Sequence, residues 1–291
     1  MRRAGLCCAA VLLLASSAVA QHAPHRVIGG DYNAADPAVS PDGDRLAFAG
    51  DRSGAFRILV YDLKRGGVRQ LTDGPGEDRR PCWSSDGERI LFASTSGGEE
   101  ALFEIACDGT SRPRRVTDGR GRAIFGAYGP RDRALLLVRL TKRDPARDRT
   151  EIVVQRLANS GAVADRVLGL GETARFSPDG RDIVFVSRSG RTGDIGIMRA
   201  DGERRRTLAA GPGDQADPCF SPDGGRIAFA SDRTGNFEIY VMDRDASRIR
   251  QLTSHPAADT QPCWSADGRI YFTRRPEGEK AEIYRVDAPR D

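Results

Sequence analysis

The stretch Phe220-Ser221-Pro222-Asp223-Gly224 recurs through the chain and decides its fold. The second residues of the copies stand at positions 40, 84, 129, 177, 221 and 265, which are 44, 45, 48, 44 and 44 residues apart. The third copy, Tyr128-Gly129-Pro130-Arg131-Asp132, is degenerate. A period of ~40–45 residues built from short strands is typical of propeller blades. The repeat therefore predicts an all-β protein, a six-bladed β-propeller.

Each copy predicts a blade of four strands. In the fifth copy, Pro222-Asp223-Gly224 predicts a tight turn, because proline presets φ, aspartate bonds nearby backbone and glycine accepts a left-handed conformation. Residues 226–231 then alternate with period two, as a strand does. Further strands are expected at 238–242 and 250–253. The repeated serine and aspartate are expected to bond the turn backbone, and we do not interpret them as a nucleophile and an acid.

The two ends of the chain predict how the ring closes. The last copy contains three strand-like segments and no fourth. A spare segment, His25-Arg26-Val27-Ile28, precedes the first copy, and Ile28 lies 12 residues before Ser40, as Thr253 lies 12 before Ser265. We therefore expect the N-terminal strand to complete the last blade. Closure of this kind removes sheet edges that would otherwise template aggregation.

Residues 1–20 have the pattern of a secretory signal peptide. Arg2 and Arg3 precede an apolar run at 9–15, and Ala18-Val19-Ala20 forms a small–x–small cleavage site. The run is too short to remain in a bilayer, and no later stretch is long and apolar enough to span one. We expect cleavage after Ala20, a propeller domain over residues 21–291, and a periplasmic or secreted monomer.

Charge and cysteine content exclude some partners. Basic residues exceed acidic residues by 45 − 41 = 4, and loss of Arg2 and Arg3 leaves about +2, which is too little to favour nucleic acid.

Cys82, Cys219 and Cys263 hold one equivalent position, each after a proline and before an aromatic residue. Side chains alternate across a strand, so we expect buried thiols that face a neighbouring blade. No disulfide or metal role is expected for them.

The repeat resembles that of the TolB propeller family. The resemblance rests on Asp-x-x-Pro-x-Trp-Ser-x-Asp-Gly at 259–268, on Ile-Ala-Phe-Ala-Ser-Asp-Arg-x-Gly-Asn-x-Glu-Ile-Tyr at 227–240, and on Arg-Gln-Leu-Thr at 250–253. It covers nearly all of residues 25–291. It implies a scaffold that binds an envelope protein or peptide, with a peptidoglycan-associated lipoprotein as one candidate. TolB proteins carry an α/β domain before the propeller, and we expect none here. Similar repeats also occur in propellers attached to peptidases.

The sequence contains no recognisable catalytic motif. The histidines are His22, His25 and His255, two in the N-terminal segment and one in a loop. No His-Glu-x-x-His pair, Gly-x-Ser-x-Gly elbow or phosphate-binding glycine loop is present. We therefore expect a protein that is not an enzyme and needs no cofactor. Two alternatives remain open, namely an enzyme that acts on a glycan or peptide through channel carboxylates, and a sensor of a small ligand.

The candidate binding residues are polar side chains expected in the loops just before the innermost strands. Loops on a rigid scaffold commonly carry binding functions, and here they are expected to converge at the mouth of the central channel. They are Asp36, Asp78, Arg79, Arg80, Arg122, Glu172, Asp214, Gln215, Asp217 and Asp259. The alternative is that these charges are solvated or form weak mutual ion pairs.

Two further features concern the same face of the ring. Asp78, Asp214 and Asp259 could supply some of the oxygens that calcium requires, so a channel calcium ion is left open. The loop at 141–149 in the third copy is also expected on this face. It either widens the binding surface or is solvated and without a role.

Overall fold

The computed structural model describes residues 23–117, 119, 121–141, 149–158, 161–188 and 192–289. Their strands form six sheets, each with four antiparallel strands, arranged as the blades of a propeller. The all-β, six-bladed prediction is therefore confirmed. The segment expected to be a signal peptide and most of the loop at 141–149 lie outside the described residues. In the part of the chain that the structure describes, no helix is long and apolar enough to cross a membrane.

Each blade runs from an innermost strand at the channel to an outermost strand at the rim. In chain order, the strands are β1 (His25–Ile28), β2 (Ala34–Val39), β3 (Arg45–Gly50), β4 (Arg57–Asp62), β5 (Val68–Gln70), β6 (Asp78–Trp83), β7 (Arg89–Ser94), β8 (Ala101–Ala106), β9 (Arg114–Arg115), β10 (Arg122–Tyr128), β11 (Ala134–Thr141), β12 (Arg149–Ala158), β13 (Gly161–Leu170), β14 (Glu172–Phe176), β15 (Asp182–Arg188), β16 (Gly193–Arg199), β17 (Arg206–Ala209), β18 (Gln215–Phe220), β19 (Arg226–Ser231), β20 (Glu238–Asp243), β21 (Arg250–Gln251), β22 (Ala258–Trp264), β23 (Arg269–Arg275) and β24 (Glu282–Asp287).

The N-terminal strand closes the ring as predicted. The last sheet has the order β1-β24-β23-β22, so β1 supplies the outermost strand of the sixth blade. His25 pairs with Arg285 and Ile28 pairs with Ile283 across an antiparallel register. Ile28 is buried, so the closing strand also contributes an apolar side chain to the core.

The repeated turn is held by its own side chains. The Ser221 hydroxyl donates to Asp223 Oδ1 at 2.6 Å and accepts the Arg226 N–H at 2.9 Å. Asp223 Oδ1 also accepts the Gly225 N–H at 2.9 Å, while Gly224 has φ 72°. Ser221, Asp223 and Gly224 therefore each have a role in forming the turn, as the sequence predicted.

The core lies between neighbouring blades, and both faces of each second strand are buried. In β19, Ile227 and Phe229 pack toward the fourth blade, whereas Ala228 and Ala230 pack toward the sixth. All four side chains are fully buried. The period-two alternation therefore separates two packing surfaces, and the blades pack face to face around a channel lined by the innermost strands.

Candidate functional site

The innermost strands share one irregularity. Each of them shows a register shift near its middle, which is a β-bulge. At the bulge, Asp36, Arg80, Thr173, Asp217 and Gln261 have positive φ, from 42° to 57°. Ile124 stands at the bulge of the third blade. A bulge redirects a side chain out of the strand's regular alternation, and a positive φ is strained for these residue types. We call these six residues the bulge ring.

The bulge ring faces a small polar cavity, which we call the upper cavity. Its volume is about 160 Å³. It is lined by Asp36, Pro37, Arg80, Pro81, Phe125, Thr173, Arg175, Asp217, Gln261 and Pro262. These residues come from all six innermost strands. The cavity therefore lies on the channel at the end where the chain enters each blade.

Hydrogen bonds between adjacent blades organise the bulge ring. The Arg80 backbone N–H donates to Asp36 Oδ2 at 3.3 Å, and the Asp36 N–H donates to Gln261 Oε1 at 3.1 Å. The Gln261 amide nitrogen donates in turn to Asp36 Oδ1. The backbone N–H of Gln261 also bonds the Asp217 carboxylate. Each ring carboxylate therefore accepts a hydrogen bond from the next blade, which holds the cavity wall in position.

The pKa of the Asp217 carboxyl is raised above its ordinary value. Burial raises the pKa of this carboxyl, and repulsion from Asp36 raises it further, while Arg80 and Arg175 oppose the shift. The cavity therefore contains two carboxylates and two guanidinium groups in a partly dehydrated space, where electrostatic interactions are stronger than in water.

Arg175 lies at the centre of the channel and was not among the residues predicted from the sequence. It lines the upper cavity and also a second, more apolar cavity of about 320 Å³ below it, which we call the lower cavity. Its guanidinium lies against the Cys82 thiol and 4.9 Å from the Phe125 ring centroid. Alignment of Arg175-Phe176-Ser177 with Cys219-Phe220-Ser221 is the signal that could have found it.

The cysteines surround Arg175 and do not simply face a neighbouring blade. Cys82, Cys219 and Cys263 line the lower cavity at positions equivalent to Arg175. Burial raises the pKa of the Cys219 thiol to about 12, and it raises the pKa values of Cys82 and Cys263 as well. These thiols therefore stay protonated and weakly reactive at neutral pH. The described cysteines are free.

The structure places the ten predicted residues differently from the expectation. All of them except Asp214 lie within innermost strands and not in loops. The innermost strands begin earlier than expected, because a bulge accommodates a proline inside the strand. Asp36, Arg80 and Asp217 line the upper cavity, and the other seven do not.

Asp78, Gln215 and Asp259 share one buried position between the blades. Asp259 is fully buried and accepts hydrogen bonds of 2.8 Å from both Arg274 Nε and Nη2. Burial raises the pKa of Asp78, although hydrogen bonds from Ser94 and Thr72 oppose the shift. Gln215 donates to the Gly213 carbonyl at 3.1 Å. Asp259 and Gln215 therefore bond groups of their own blade, Asp78 contacts Arg57 of the preceding blade, and none of the three lines the upper cavity.

The remaining predicted residues form contacts at the rim. Arg79 lies 3.4 Å over the Phe56 ring centroid and also pairs with Glu77 at 3.4 Å and with Asp36 at 4.0 Å. The other three make ion pairs: Arg122 with Glu100 at 2.8 Å, Glu172 with Arg188 at 3.0 Å, and Asp214 with Arg188 at 3.4 Å. Partly exposed pairs of this kind contribute little stability, which agrees with the alternative reading for these positions.

The proposed calcium ligands are not brought together. Asp78, Asp214 and Asp259 belong to different blades, and each is already near an arginine. Among the described residues, no group of three or more histidine, cysteine, aspartate or glutamate side chains is arranged to hold a metal ion.

Comparison with known proteins agrees with the fold. The family model described as the TolB beta propeller domain matches residues 17–218 and 171–290. The chain is 31% identical over 177 residues to the uncharacterized peptidase YuxL of Bacillus subtilis, covering 57% of this chain and 23% of that protein. It is 35% identical over 77 residues to the Tol-Pal system protein TolB of Methylobacillus flagellatus, covering 26% of this chain and 17% of that protein. The matched segments thus span less than a quarter of either relative.

Solved structures show the same architecture. TolB from Acinetobacter baumannii superposes with a TM-score of 0.69 at 21% identity, covering 80% of this chain and 57% of that one. A gluconolactonase from Xanthomonas campestris superposes with a TM-score of 0.68 at 17% identity, covering 94% and 93%. At such identities the likeness concerns the fold, which carries both binding proteins and enzymes. The match of the family model over most of the sequence shows that this chain belongs to the TolB β-propeller domain family.

Proposed function

We propose that the chain is an exported propeller scaffold that binds an envelope protein or peptide at the upper cavity of its channel. The observation that carries the proposal is the bulge ring, in which strained backbone directs Asp36, Arg80, Asp217 and other polar side chains into one cavity. Strained backbone of this kind commonly marks functional sites. A rigid ring of blades also lowers the entropy cost of presenting such groups to a partner.

The dimensions of the cavity limit what enters it. A volume of about 160 Å³ admits one or two side chains and not a folded element. The partner therefore inserts a narrow, extended segment, and the rest of its surface contacts the rim. A peptidoglycan-associated lipoprotein is the partner class that the family resemblance favours. We place this binding in the periplasm or outside the cell.

Binding is proposed in preference to catalysis for a structural reason. The carboxylates in the cavity, Asp36 and Asp217, already accept hydrogen bonds from the backbone of adjacent blades. Carboxylates held by hydrogen bonds in this way are suited to shaping a recognition surface. Propeller enzymes share the fold, so turnover of a glycan or peptide is the competing outcome that the experiment must separate from binding.

Site-specific crosslinking in intact cells tests the proposal. A photoreactive amino acid replaces Arg80, which is exposed at the mouth, and in a matched strain it replaces Arg181, which is exposed in the turn at the opposite end of the same channel. We expect one envelope protein to be captured through position 80 and not through position 181. Equal capture at both positions would contradict the proposal. So would hydrolysis of envelope glycan or peptide that is lost in Asp217→Asn while the protein captured through position 80 is unchanged.

A further inference from the structure

The proposed function does not explain why an arginine, Arg175, lies inside the channel. It interrupts a layer of small side chains, since Ala38, Cys82, Cys219 and Cys263 hold the equivalent place in other blades. A guanidinium at this depth carries a cost of dehydration. Among the described residues, no carboxylate lies within 4.0 Å of it. Its guanidinium contacts the Cys82 thiol and the Phe125 ring, and the Asp217 carboxylate acts on it from across the cavity.

Arg80 adds a second guanidinium to the same cavity. Its Nη1 donates to the Ile124 carbonyl at 2.5 Å, and this contact holds the side chain across the mouth. The carboxylates of the cavity attract the two guanidinium groups without forming hydrogen bonds to them, because their oxygens bond the backbone of neighbouring blades and the Gln261 amide. The N–H groups of two arginines therefore converge on a space in which Asp217 acts on them electrostatically but no carboxylate oxygen accepts their hydrogen bonds among the described residues.

The residues that line the upper cavity favour a carboxylate over a phosphate. Arginine recognises carboxylate and phosphate through two parallel hydrogen bonds. Asp36 and Asp217 stand on the wall of the same small cavity, and their charges repel a doubly charged phosphate more strongly than a singly charged carboxylate. The Asp36 and Asp217 oxygens can also accept hydrogen bonds from peptide N–H groups beside the bound carboxylate, and the Gln261 amide can donate to or accept from such peptide groups.

We propose that Arg175, assisted by Arg80, binds a carboxylate on the partner segment that enters the upper cavity. The inference rests on the proposed function and names the group that the site recognises. The carboxylate belongs either to an acidic side chain or to the C-terminal end of a polypeptide. In both cases it sits at the floor of the upper cavity, where Arg175 separates that cavity from the lower one.

Tryptophan fluorescence can report the binding of a carboxylate at Arg175. The two tryptophans of the chain, Trp83 and Trp264, both line the lower cavity beside Arg175. Three peptides are titrated against the purified mature protein while tryptophan fluorescence is followed: N-acetyl-Ala-Ala-Glu-amide, N-acetyl-Ala-Ala-Gln with a free C-terminus, and the neutral N-acetyl-Ala-Ala-Gln-amide. Inorganic phosphate is titrated in a fourth series at matched ionic strength. We expect a saturable change with at least one of the acidic peptides, and that peptide identifies the source of the carboxylate.

Substitution of Arg175 then tests its role. Arg175→Gln is expected to weaken binding of the acidic peptide by roughly ten- to a hundredfold, because charge-assisted hydrogen bonds are lost. Arg175→Lys keeps the charge without the planar fork and is expected to bind with intermediate affinity. It also guards against a folding defect in the glutamine variant. Arg181→Gln, an exposed change in the same blade, is expected to bind as the parent does.

Several results would overturn the inference. They are equal binding of the neutral peptide, no saturable response to either acidic peptide, tighter binding of phosphate, and full affinity in Arg175→Gln. Failure of this inference is distinguishable from failure of the proposed function. Crosslinking through position 80 to an envelope protein that is unaffected by Arg175→Gln leaves the scaffold standing and removes only the carboxylate anchor.

Discussion

Arg274 and Asp259 form a bidentate ion pair in the interior of the sixth blade, with both nitrogen–oxygen distances at 2.8 Å. Asp259 has no exposed surface, and Arg274 is 6% exposed. Asp259, the aspartate that opens the Asp-x-x-Pro segment of the sixth copy, is thus a structural residue. Its conspicuous place in the sequence reflects the packing of the blades and not contact with a ligand.

Asp259→Asn is expected to destabilise the fold and leave recognition intact. Removing one partner of a buried pair leaves an uncompensated charge, which costs roughly 3–5 kcal/mol. Urea unfolding measures the loss. The control is Glu100→Gln, whose partly exposed pair with Arg122 should cost under about 1 kcal/mol. A buried-pair variant as stable as the parent would show that the pair contributes nothing.

Deletion of residues 21–30 is expected to lower the melting temperature sharply. The deletion removes β1, its pairing with β24 and the buried Ile28 side chain. Burial of one isoleucine and a few hydrogen bonds together are worth about 5 kcal/mol, which corresponds to roughly 10–20 °C for a domain of this size. Differential scanning calorimetry provides the measurement. An unchanged transition would mean that the ring closes without β1.

Asp217 gives a pH dependence of unusual sign. Its folded-state pKa is raised by burial and by Asp36, so the ionised carboxylate opposes folding at neutral pH. The penalty appears as pH rises above the unfolded-state pKa, near 3.9, and is absent below it. Asp217→Asn should therefore raise the melting temperature at pH 7 by a few degrees, and the two proteins should converge below about pH 4. A lower melting temperature for the variant at pH 7 would contradict this.

Asp223 is expected to behave in the opposite way. Hydrogen bonds from the Ser221 hydroxyl and the Gly225 N–H lower the pKa of this carboxyl in the folded state. Its contribution to stability is complete above the unfolded-state pKa and is lost as pH falls through the lower folded-state value. Asp223→Asn should lower the melting temperature at pH 7, with a difference that shrinks as the pH is lowered below about 4. Thermal melts across this range test whether the difference instead stays constant.

The fold could be predicted because its signals are local and repeated. A turn such as Ser221 to Gly224 depends on residues within five positions of one another. Strand patterns of period two require only that both faces be covered, as they are for Phe229 and its neighbours. Six repetitions of such a unit leave few arrangements other than a ring, and the spare segment ending at Ile28 shows where the ring closes.

The candidate site was predicted only in part, because the bulges change the direction of side chains. Asp217 and Gln215 are two positions apart, yet one lines the cavity and the other is buried between sheets. A regular strand would place both on the same side. Gln215 was also expected in a loop before the innermost strand, whereas the strand begins at Gln215. Arg175 was missed because it replaces a cysteine in the repeat, and cysteine had been assigned to a blade interface.

The sequence by itself determined the number of blades, their strands, the turns and the closing segment, since each depends on neighbouring residues or on the repeat period. The tertiary structure alone decided which polar side chains face the channel. That choice depends on a one-residue shift inside each innermost strand and on hydrogen bonds between blades, such as that from the Arg80 N–H to Asp36. Contacts of this kind join residues far apart in the chain, and no local pattern encodes them.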